Sequence, residues 1–144
     1  MRDREGNAAD DRGDEMIYGT GVDIVEVYRM KDAIDKWGEA FLGKIFTGKE
    51  IDYSKSRKFS CQHYAARFAV KEAVVKAFGD GARSPFRWTD IEVLNNKDGK
   101  PGIRFYNGAL RLKKRKKIND ALVSIAHSKN YAVANVILLA KGKT

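Results

Sequence analysis

RFAVKEAVVKAFGDG, residues 67–81, is the stretch that decides the fold, because it predicts a helix with three cations and a carboxylate among small apolar residues. At about 3.6 residues per turn, Arg67 and Lys71 stand one turn apart, as do Glu72 and Lys76. The four charged heads are therefore expected to point into one broad patch. The opposite arc carries small side chains, which let the helix lie close against a sheet or another helix. These are Ala66, Ala69, Val70, Ala73 and Ala77.

Two further features of this helix concern its charged face and its C-terminal end. Phe68 and Val75 fall among the charges, and an apolar pair on a charged face suggests a covering ligand or subunit. Gly79 and Gly81 are expected to end the helix, because glycine suits a left-handed cap. A solvated helix whose charges pair with each other remains an alternative.

Upstream, Ile17–Val27 (IYGTGVDIVEV) predicts a strand with β-branched residues at alternate positions. Its two glycines, Gly19 and Gly21, share a face with Asp23. Glycine weakens a strand interior and usually marks close approach by another group. We therefore expect that face to be open and Asp23 to sit in a cleft, although a partly buried, hydrogen-bonded carboxylate remains the alternative.

Asp23 and Glu72 together suit a hard cation such as Mg2+, which takes one or two protein carboxylates and completes its shell with water and substrate phosphates. The neighbouring cations would hold those phosphates. The residues alone thus indicate a phosphate-handling site.

The chain resembles the holo-acyl-carrier-protein synthases, which belong to the 4'-phosphopantetheinyl transferases, from Met16 to about Leu139. The resemblance rests on five motifs in order, of which the long helix with its upstream Asp and its downstream Ser-Ile-x-His is the most specific. The motifs are Gly19–Ile24 (GTGVDI), Phe46–Glu50 (FTGKE), Arg67–Gly81, Gly99–Pro101 (GKP) and Ser124–His127 (SIAH).

The resemblance implies that a serine of apo acyl carrier protein attacks the pyrophosphate of coenzyme A, so that phosphopantetheine moves to the serine and adenosine bisphosphate leaves. Asp23 and Glu72 would bind Mg2+, and Lys76 would stabilise charge near the diphosphate. Arg67 and Lys71 would hold phosphates of the coenzyme. The remaining coenzyme-site residues implied are Gly79, which allows backbone approach, and Pro101, Ser124 and His127.

His127 ends an apolar strand, on the same face as Val123 and Ile125 and opposite Ser124. It is either a coenzyme contact or a satisfied edge residue. Whether His127, a carboxylate or metal-bound water removes the serine proton stays open. The other histidine, His63, matches no motif and is expected at the surface before the helix.

Length and composition fit one domain, residues 16–144, preceded by a polar extension at residues 1–15 that is expected to be disordered. Cys61 is the one cysteine, which excludes an intramolecular disulfide. There is no apolar run of membrane-spanning length and no signal-peptide pattern, so a cytoplasmic protein with no membrane partner is expected.

The net charge of +9 rises to +12 for residues 16–144, because the extension holds three arginines and six acidic residues. Such a surface attracts polyanions. The resemblance implies that an acidic acyl carrier protein docks near the first helix, at Arg29, Phe41 and Lys44, although Ala40 replaces an arginine common in relatives. The Lys113–Lys117 run could add to docking or be a solvated helix end. Nucleic-acid binding is disfavoured, since no aromatic residues interleave with that run.

The other predicted elements complete an α+β fold with a mainly antiparallel sheet packed on the long helix. Predicted helices are Arg29–Gly43, Thr47–Ser54 with a Thr47/Glu50 capping box, and Asn107–Lys117. Predicted strands are Asp90–Leu94, Gly102–Tyr106, Ala121–His127 and Tyr131–Leu139. By resemblance the chain forms a homotrimer with active sites between subunits. A catalytically silent coenzyme or nucleotide binder is the remaining alternative.

Overall fold

The computed structural model describes residues 15–79 and 86–142. The strands in these ranges are β1 (Glu15–Glu26), β2 (Ile91–Asn95), β3 (Pro101–Phe105), β4 (Ile118–His127) and β5 (Tyr131–Lys141). The helices are α1 (Val27–Ile45), α2 (Gly48–Lys55), α3 (Ser60–Phe78) and α4 (Asn107–Arg115), with a 3-10 turn at Trp88–Asp90. The extension that is predicted to be disordered lies outside the described residues except for Glu15. This residue starts β1 and pairs with Lys141 of β5.

All strand pairing in the described residues is antiparallel, as the sequence predicts. One sheet has the order β1-β5-β4, and β2 pairs with β3 in a separate hairpin. Strand β4 begins three residues before its predicted start and ends at His127 as predicted, and β5 runs two residues beyond its predicted end. The α+β prediction is confirmed.

Helix α3 packs across the inner face of the three-stranded sheet. Its small side chains meet the fully buried inner residues of β5, which are Ala132, Ala134, Val136 and Leu138. A Cβ on Gly19 would overlap the carbonyl oxygen of Ala77, and one on Gly21 would overlap that of Ala73. The expectation that the glycines leave this face open is therefore wrong, because the helix backbone itself fills the space that they leave.

The helix boundaries differ from the predictions in instructive ways. Helix α1 is longer than predicted at both ends and is interrupted at Gly38, whose φ of 57° suits glycine. The Thr47/Glu50 capping box forms at the start of α2. Helix α3 begins at Ser60, seven residues before Arg67, so that His63 lies inside it. Gly79 caps α3 with a φ of 84°, as expected, while Gly81 lies outside the described residues.

Across the described ranges, no helix combines the length and the apolar character that crossing a membrane requires.

Candidate active site

Asp23 reaches α3 from β1, on the same face as the two glycines that let the helix come close. Its Oδ1 accepts a hydrogen bond from Lys76 Nζ at 2.7 Å, and the same ammonium donates to the Val22 carbonyl oxygen at 3.2 Å. The Asp23 side chain is only 11% exposed, whereas that of Lys76 is 55% exposed. The contact with Asp23 raises the pKa of Lys76 above its ordinary value. Lys76 thus stays charged at the mouth of the site.

Glu72 lies one turn before Lys76 and directly beside Asp23. Burial, and then the neighbouring charge of Asp23, raise the pKa of Glu72 to about 7, while Lys76 opposes the shift. The other oxygen of Asp23, Oδ2, is buried and has no hydrogen-bond partner. Two crowded carboxyl groups with an unpartnered oxygen are the arrangement that a bound cation would relieve.

The donor set fits Mg2+ on this observation. The chain as described has no group of three or more His, Cys, Asp or Glu residues that could hold a metal. A pair of carboxylates suits a hard cation that keeps most of its coordination sphere for water and substrate oxygens. Asp23 and Glu72 are therefore the residues that would hold it.

The structure corrects the expected position of Lys71. Its side chain is fully buried, and its Nζ lies 2.8 Å from Glu50 Oε1 and also donates to the carbonyl oxygens of Trp88 and Ile91. The prediction that all four charged heads share one open patch is wrong for this residue. The Lys71 side chain points into the core, where its ammonium pairs with the Glu50 carboxylate and cannot reach a phosphate.

Arg67 is 3% exposed but lines a cavity of about 420 Å3 between α2, α3 and β2. Its guanidinium donates to Asn95 Oδ1 at 2.6 Å and lies over the Tyr53 ring, while its Nε is buried without a partner. Three more cations, none recognised from the sequence, line the same cavity. They are Lys49, Arg57 and Lys97. This cavity, called the basic cavity below, therefore suits an anionic ligand. The sequence signal that could have predicted it is the spacing of Lys49, Tyr53 and Arg57, which stand four residues apart on α2 and just after it.

His127 lies at the end of β4, and its Nδ1 is 2.9 Å from Gln62 Oε1 on α3. Its ring contacts that of His63, with centroids 4.9 Å apart, and His63 in turn contacts Tyr53. The expectation that His63 is an unrelated surface residue is wrong. Burial, and then electrostatic repulsion from the neighbouring His127, Arg67 and Arg57 side chains, lower the pKa of His63.

We expect this histidine to make the fold less stable in acid. Because the pKa of His63 is lower in the folded chain, the unfolded chain takes up the proton first as the pH falls below about 6.5. The melting temperature of His63→Phe should therefore decline less than that of the parent chain between about pH 7.5 and pH 5.5. Parallel melting curves across this range would contradict the assignment.

The other predicted coenzyme residues are dispersed. Pro101 starts β3 opposite Asn95, the partner of Arg67, and so lies near the basic cavity. Ser124 is exposed on the outer face of the sheet, away from His127. Gly79 is the exposed cap of α3.

The predicted docking residues lie along α1. Arg29 is exposed and forms a 3.4 Å ion pair with Glu26, and Lys44 is in the last turn. Arg29 and Phe41 line a second cavity, of about 380 Å3, together with Phe68 and Glu72. Phe68, expected to be covered by a ligand or subunit, thus faces a cavity that opens beside the carboxylate pair.

The basic run of residues 111–117 covers the end of α4 and the turn that follows it. Leu112 is buried, while Lys114, Arg115 and Lys117 are exposed. Lys113 lies 5.9 Å from the Phe105 ring. The role of this run in docking stays a prediction.

A strand carboxylate, a helix carboxylate and a lysine form one group, and a cation-lined cavity lies elsewhere along the same long helix. Both features suit a small α+β protein that handles phosphate groups. The chain belongs to the 4'-phosphopantetheinyl transferase superfamily, whose family model matches residues 19–136.

Named relatives agree with this assignment. A holo-[acyl-carrier-protein] synthase from Geobacter sp. (strain M21) is 44% identical over 85% of this chain and 98% of that protein. The crystal structure of the Neisseria meningitidis synthase superposes with a TM-score of 0.79 at 30% identity, covering 85% and 98% of the two chains. The Bacillus anthracis synthase, solved in complex with CoA (3',5'-ADP), gives 0.72 at 35% identity over 88% and 99%.

Proposed function

We propose that this chain is a holo-[acyl-carrier-protein] synthase, which transfers 4'-phosphopantetheine from coenzyme A to a serine of apo acyl carrier protein. The products are holo acyl carrier protein, for use in fatty acid biosynthesis, and adenosine 3',5'-bisphosphate. The observation that carries the proposal is the half-buried pair of Asp23 and Glu72, with the unpartnered Oδ2 of Asp23, beside the Lys76 ammonium. The sequence relatives and the synthase structures support it. We place the reaction in the cytoplasm, where coenzyme A is available as the donor.

In the proposed reaction the serine oxygen forms a bond to the phosphorus that carries pantetheine. The bond from that phosphorus to the bridging oxygen breaks, and the electron pair leaves with adenosine 3',5'-bisphosphate. Such a transfer asks the protein mainly to position the reactants and to neutralise charge. A Mg2+ ion held by Asp23 and Glu72 would supply Lewis-acid stabilisation of the pyrophosphate oxygens.

The residues of the chain divide the remaining work. Lys76, fixed by Asp23 but half exposed, would neutralise charge on the breaking diphosphate. Arg67 and Arg57, which both line the basic cavity and contact the Tyr53 ring, would bind phosphates of the nucleotide end. Lys71 is not included, since its ammonium is enclosed by the protein. The base that accepts the serine proton is left unassigned.

Lys76→Ala is expected to lower kcat on the order of 100-fold, because it removes a charge that acts mainly on the transition state. The KM for coenzyme A should change much less. Lys76→Arg, which keeps the charge and can still pair with Asp23, should retain more turnover than Lys76→Ala. Steady-state kinetics of both variants decide this: an unchanged kcat with a raised KM would make Lys76 a simple phosphate anchor.

We also propose that the chain assembles as a homotrimer through the outer face of its three-stranded sheet. Pairing places Ile24 beside Val133, and Thr20 and Leu122 on either side of Ile137. This face is apolar and open: Val22 is 59% exposed, Ile24 62% and Leu122 46%. Apolar surface of this kind usually marks an interface.

His127 and the carboxylate pair also lie far apart within one chain. His127 is beside residues 62 and 63 of α3, about 14 to 15 Å along the helix from Glu72 at 1.5 Å per residue. A neighbouring subunit would bring the two groups to one cleft. Ile24→Lys should dissociate the assembly and abolish transfer; sedimentation of the parent chain at monomer mass would contradict the trimer.

The transfer itself is tested with coenzyme A labelled in its pantetheine moiety. Apo acyl carrier protein should gain the label, and a carrier whose acceptor serine is replaced by alanine should not. Labelling of both carriers, or of neither, would refute the proposed reaction.

A further inference from the structure

A buried ion pair joins α2 to α3. The side chains of Glu50 and Lys71 are both 0% exposed, and Lys71 Nζ lies 2.8 Å from Glu50 Oε1. Glu50 also accepts hydrogen bonds from the backbone N–H of Thr47 at 2.9 Å and of Val93 at 2.8 Å. Lys71 donates to the carbonyl oxygens of Trp88 and Ile91. The pair therefore ties two helices to the start of β2.

A second buried carboxylate extends the same network. Glu92 accepts from the Thr47 hydroxyl through Oε2 and from the Tyr106 hydroxyl, 2.7 Å away, through Oε1. Residues on both sides of β2 are thereby attached to the N-terminus of α2. The three charged members of this network, Glu50, Lys71 and Glu92, are all buried, and none of them lines the cavity.

The elements that this network joins are the walls of the basic cavity. Helix α2 contributes Lys49 and Tyr53, on either side of Glu50 in sequence. Strand β2 contributes Val93, whose N–H Glu50 holds, and Asn95. Helix α3 contributes Arg67, one turn before Lys71. In α2 and β2 the network residue is thus one or two positions from a residue that lines the cavity, and in α3 it is one helical turn away.

A contribution to folding stability is a weak explanation for a buried ion pair such as Glu50 and Lys71. Removing two charges from water costs free energy that their attraction often fails to recover, and apolar replacements of a buried pair are frequently neutral or stabilising. The effect of such a pair that matters here is the geometry that it imposes on the elements it joins.

We propose that Glu50 and Lys71 are positioning residues for the nucleotide end of coenzyme A: they set the separation of α2, α3 and β2, and hence the spacing of the cations that bind its phosphates. The inference rests on the proposed function, since it takes coenzyme A as the occupant of the cavity. It assigns no ligand contact to either residue.

The test uses two substitutions that change local charge in opposite directions. Lys71→Met removes a positive charge and Glu50→Gln removes a negative one. If the pair acted only through its electrostatic field, the first would weaken binding of the anionic nucleotide and the second would strengthen it. A positioning role predicts that both weaken it, by about tenfold or more, since small misplacements of binding groups are costly.

Binding of adenosine 3',5'-bisphosphate is measured by calorimetry at a temperature where every variant is folded, and the KM for coenzyme A is compared with kcat. Leu112→Ala, which creates a cavity in the core beneath α4, away from the residues lining this pocket, serves as a control of similar instability. It should bind the nucleotide as the parent chain does. Lys71→Gln, which keeps donors for the carbonyl oxygens, replaces Lys71→Met if the latter does not fold.

Weaker binding in both charge variants, with a KM rise larger than the fall in kcat, is the expected result. Opposite effects, unchanged binding, or equal weakening in Leu112→Ala would overturn the positioning role. Failure of the parent chain to bind the nucleotide would instead refute the proposed function, and the inference with it.

Discussion

Glu72→Gln is expected to lower Mg2+-supported transfer at least about 100-fold, since a lost metal ligand removes several kcal/mol of charge stabilisation in the transition state. The fold should survive, because Glu72 is crowded against Asp23 and the substitution removes a repulsion. An amide can also donate to the Asp23 oxygen that has no partner in the parent chain. The melting temperature without metal should therefore be no lower than that of the parent chain.

The comparison is made by initial rates across a Mg2+ titration, with thermal melts of the same samples. Glu39→Gln, an exposed carboxylate on α1, is the matched control and should transfer at the parent rate. If Glu72→Gln transferred at the parent rate at all Mg2+ concentrations, the assignment of Glu72 as a Mg2+ ligand would be wrong.

Gly21→Ala is expected to give the largest loss of stability from adding a single methyl group, at least about 2 kcal/mol. The added Cβ would overlap the Ala73 carbonyl oxygen, which belongs to the backbone of α3 and cannot rotate away. Either the helix or the strand must move, and each carries one carboxylate of the active site. Transfer should fall as well, even at temperatures where the variant remains folded.

Gly43→Ala is the control for this experiment. A Cβ at Gly43 meets no neighbouring atom within 4 Å, and alanine is favoured over glycine within a helix. The free energy of unfolding measured by chemical denaturation should be well below that of the parent chain for Gly21→Ala, and equal to or above it for Gly43→Ala. Equal stability of Gly21→Ala and the parent chain would mean that α3 does not rest on β1 at this position.

The parts of the fold that local pattern determines were predictable from the sequence. The small-residue arc of α3 and its Gly79 cap follow from helical spacing and from glycine at a left-handed position. The Thr47/Glu50 capping box joins residues only three positions apart, so that its two hydrogen bonds follow from local sequence. The same holds for the two hairpins, whose strands and turns are adjacent in the chain.

What sequence could not show depends on distant partners. Glu50 also holds Lys71 and Val93, which lie 21 and 43 residues away, so that no spacing rule distinguishes this buried lysine from a phosphate-binding one. Gly19 and Gly21 of β1 indicated that another group approaches closely, but the sequence did not show that this group is the backbone of α3. His63 became relevant only when β4 returned to place His127 against it.

The central claim is metal-dependent transfer of phosphopantetheine to a carrier protein. Intact-mass spectrometry of an apo acyl carrier protein, incubated with this chain and coenzyme A with and without Mg2+, tests it most directly. The account predicts a mass gain equal to one phosphopantetheine, and only when the metal is present. No gain with any of several carrier proteins, or an equal gain after removal of all divalent metal, would contradict it.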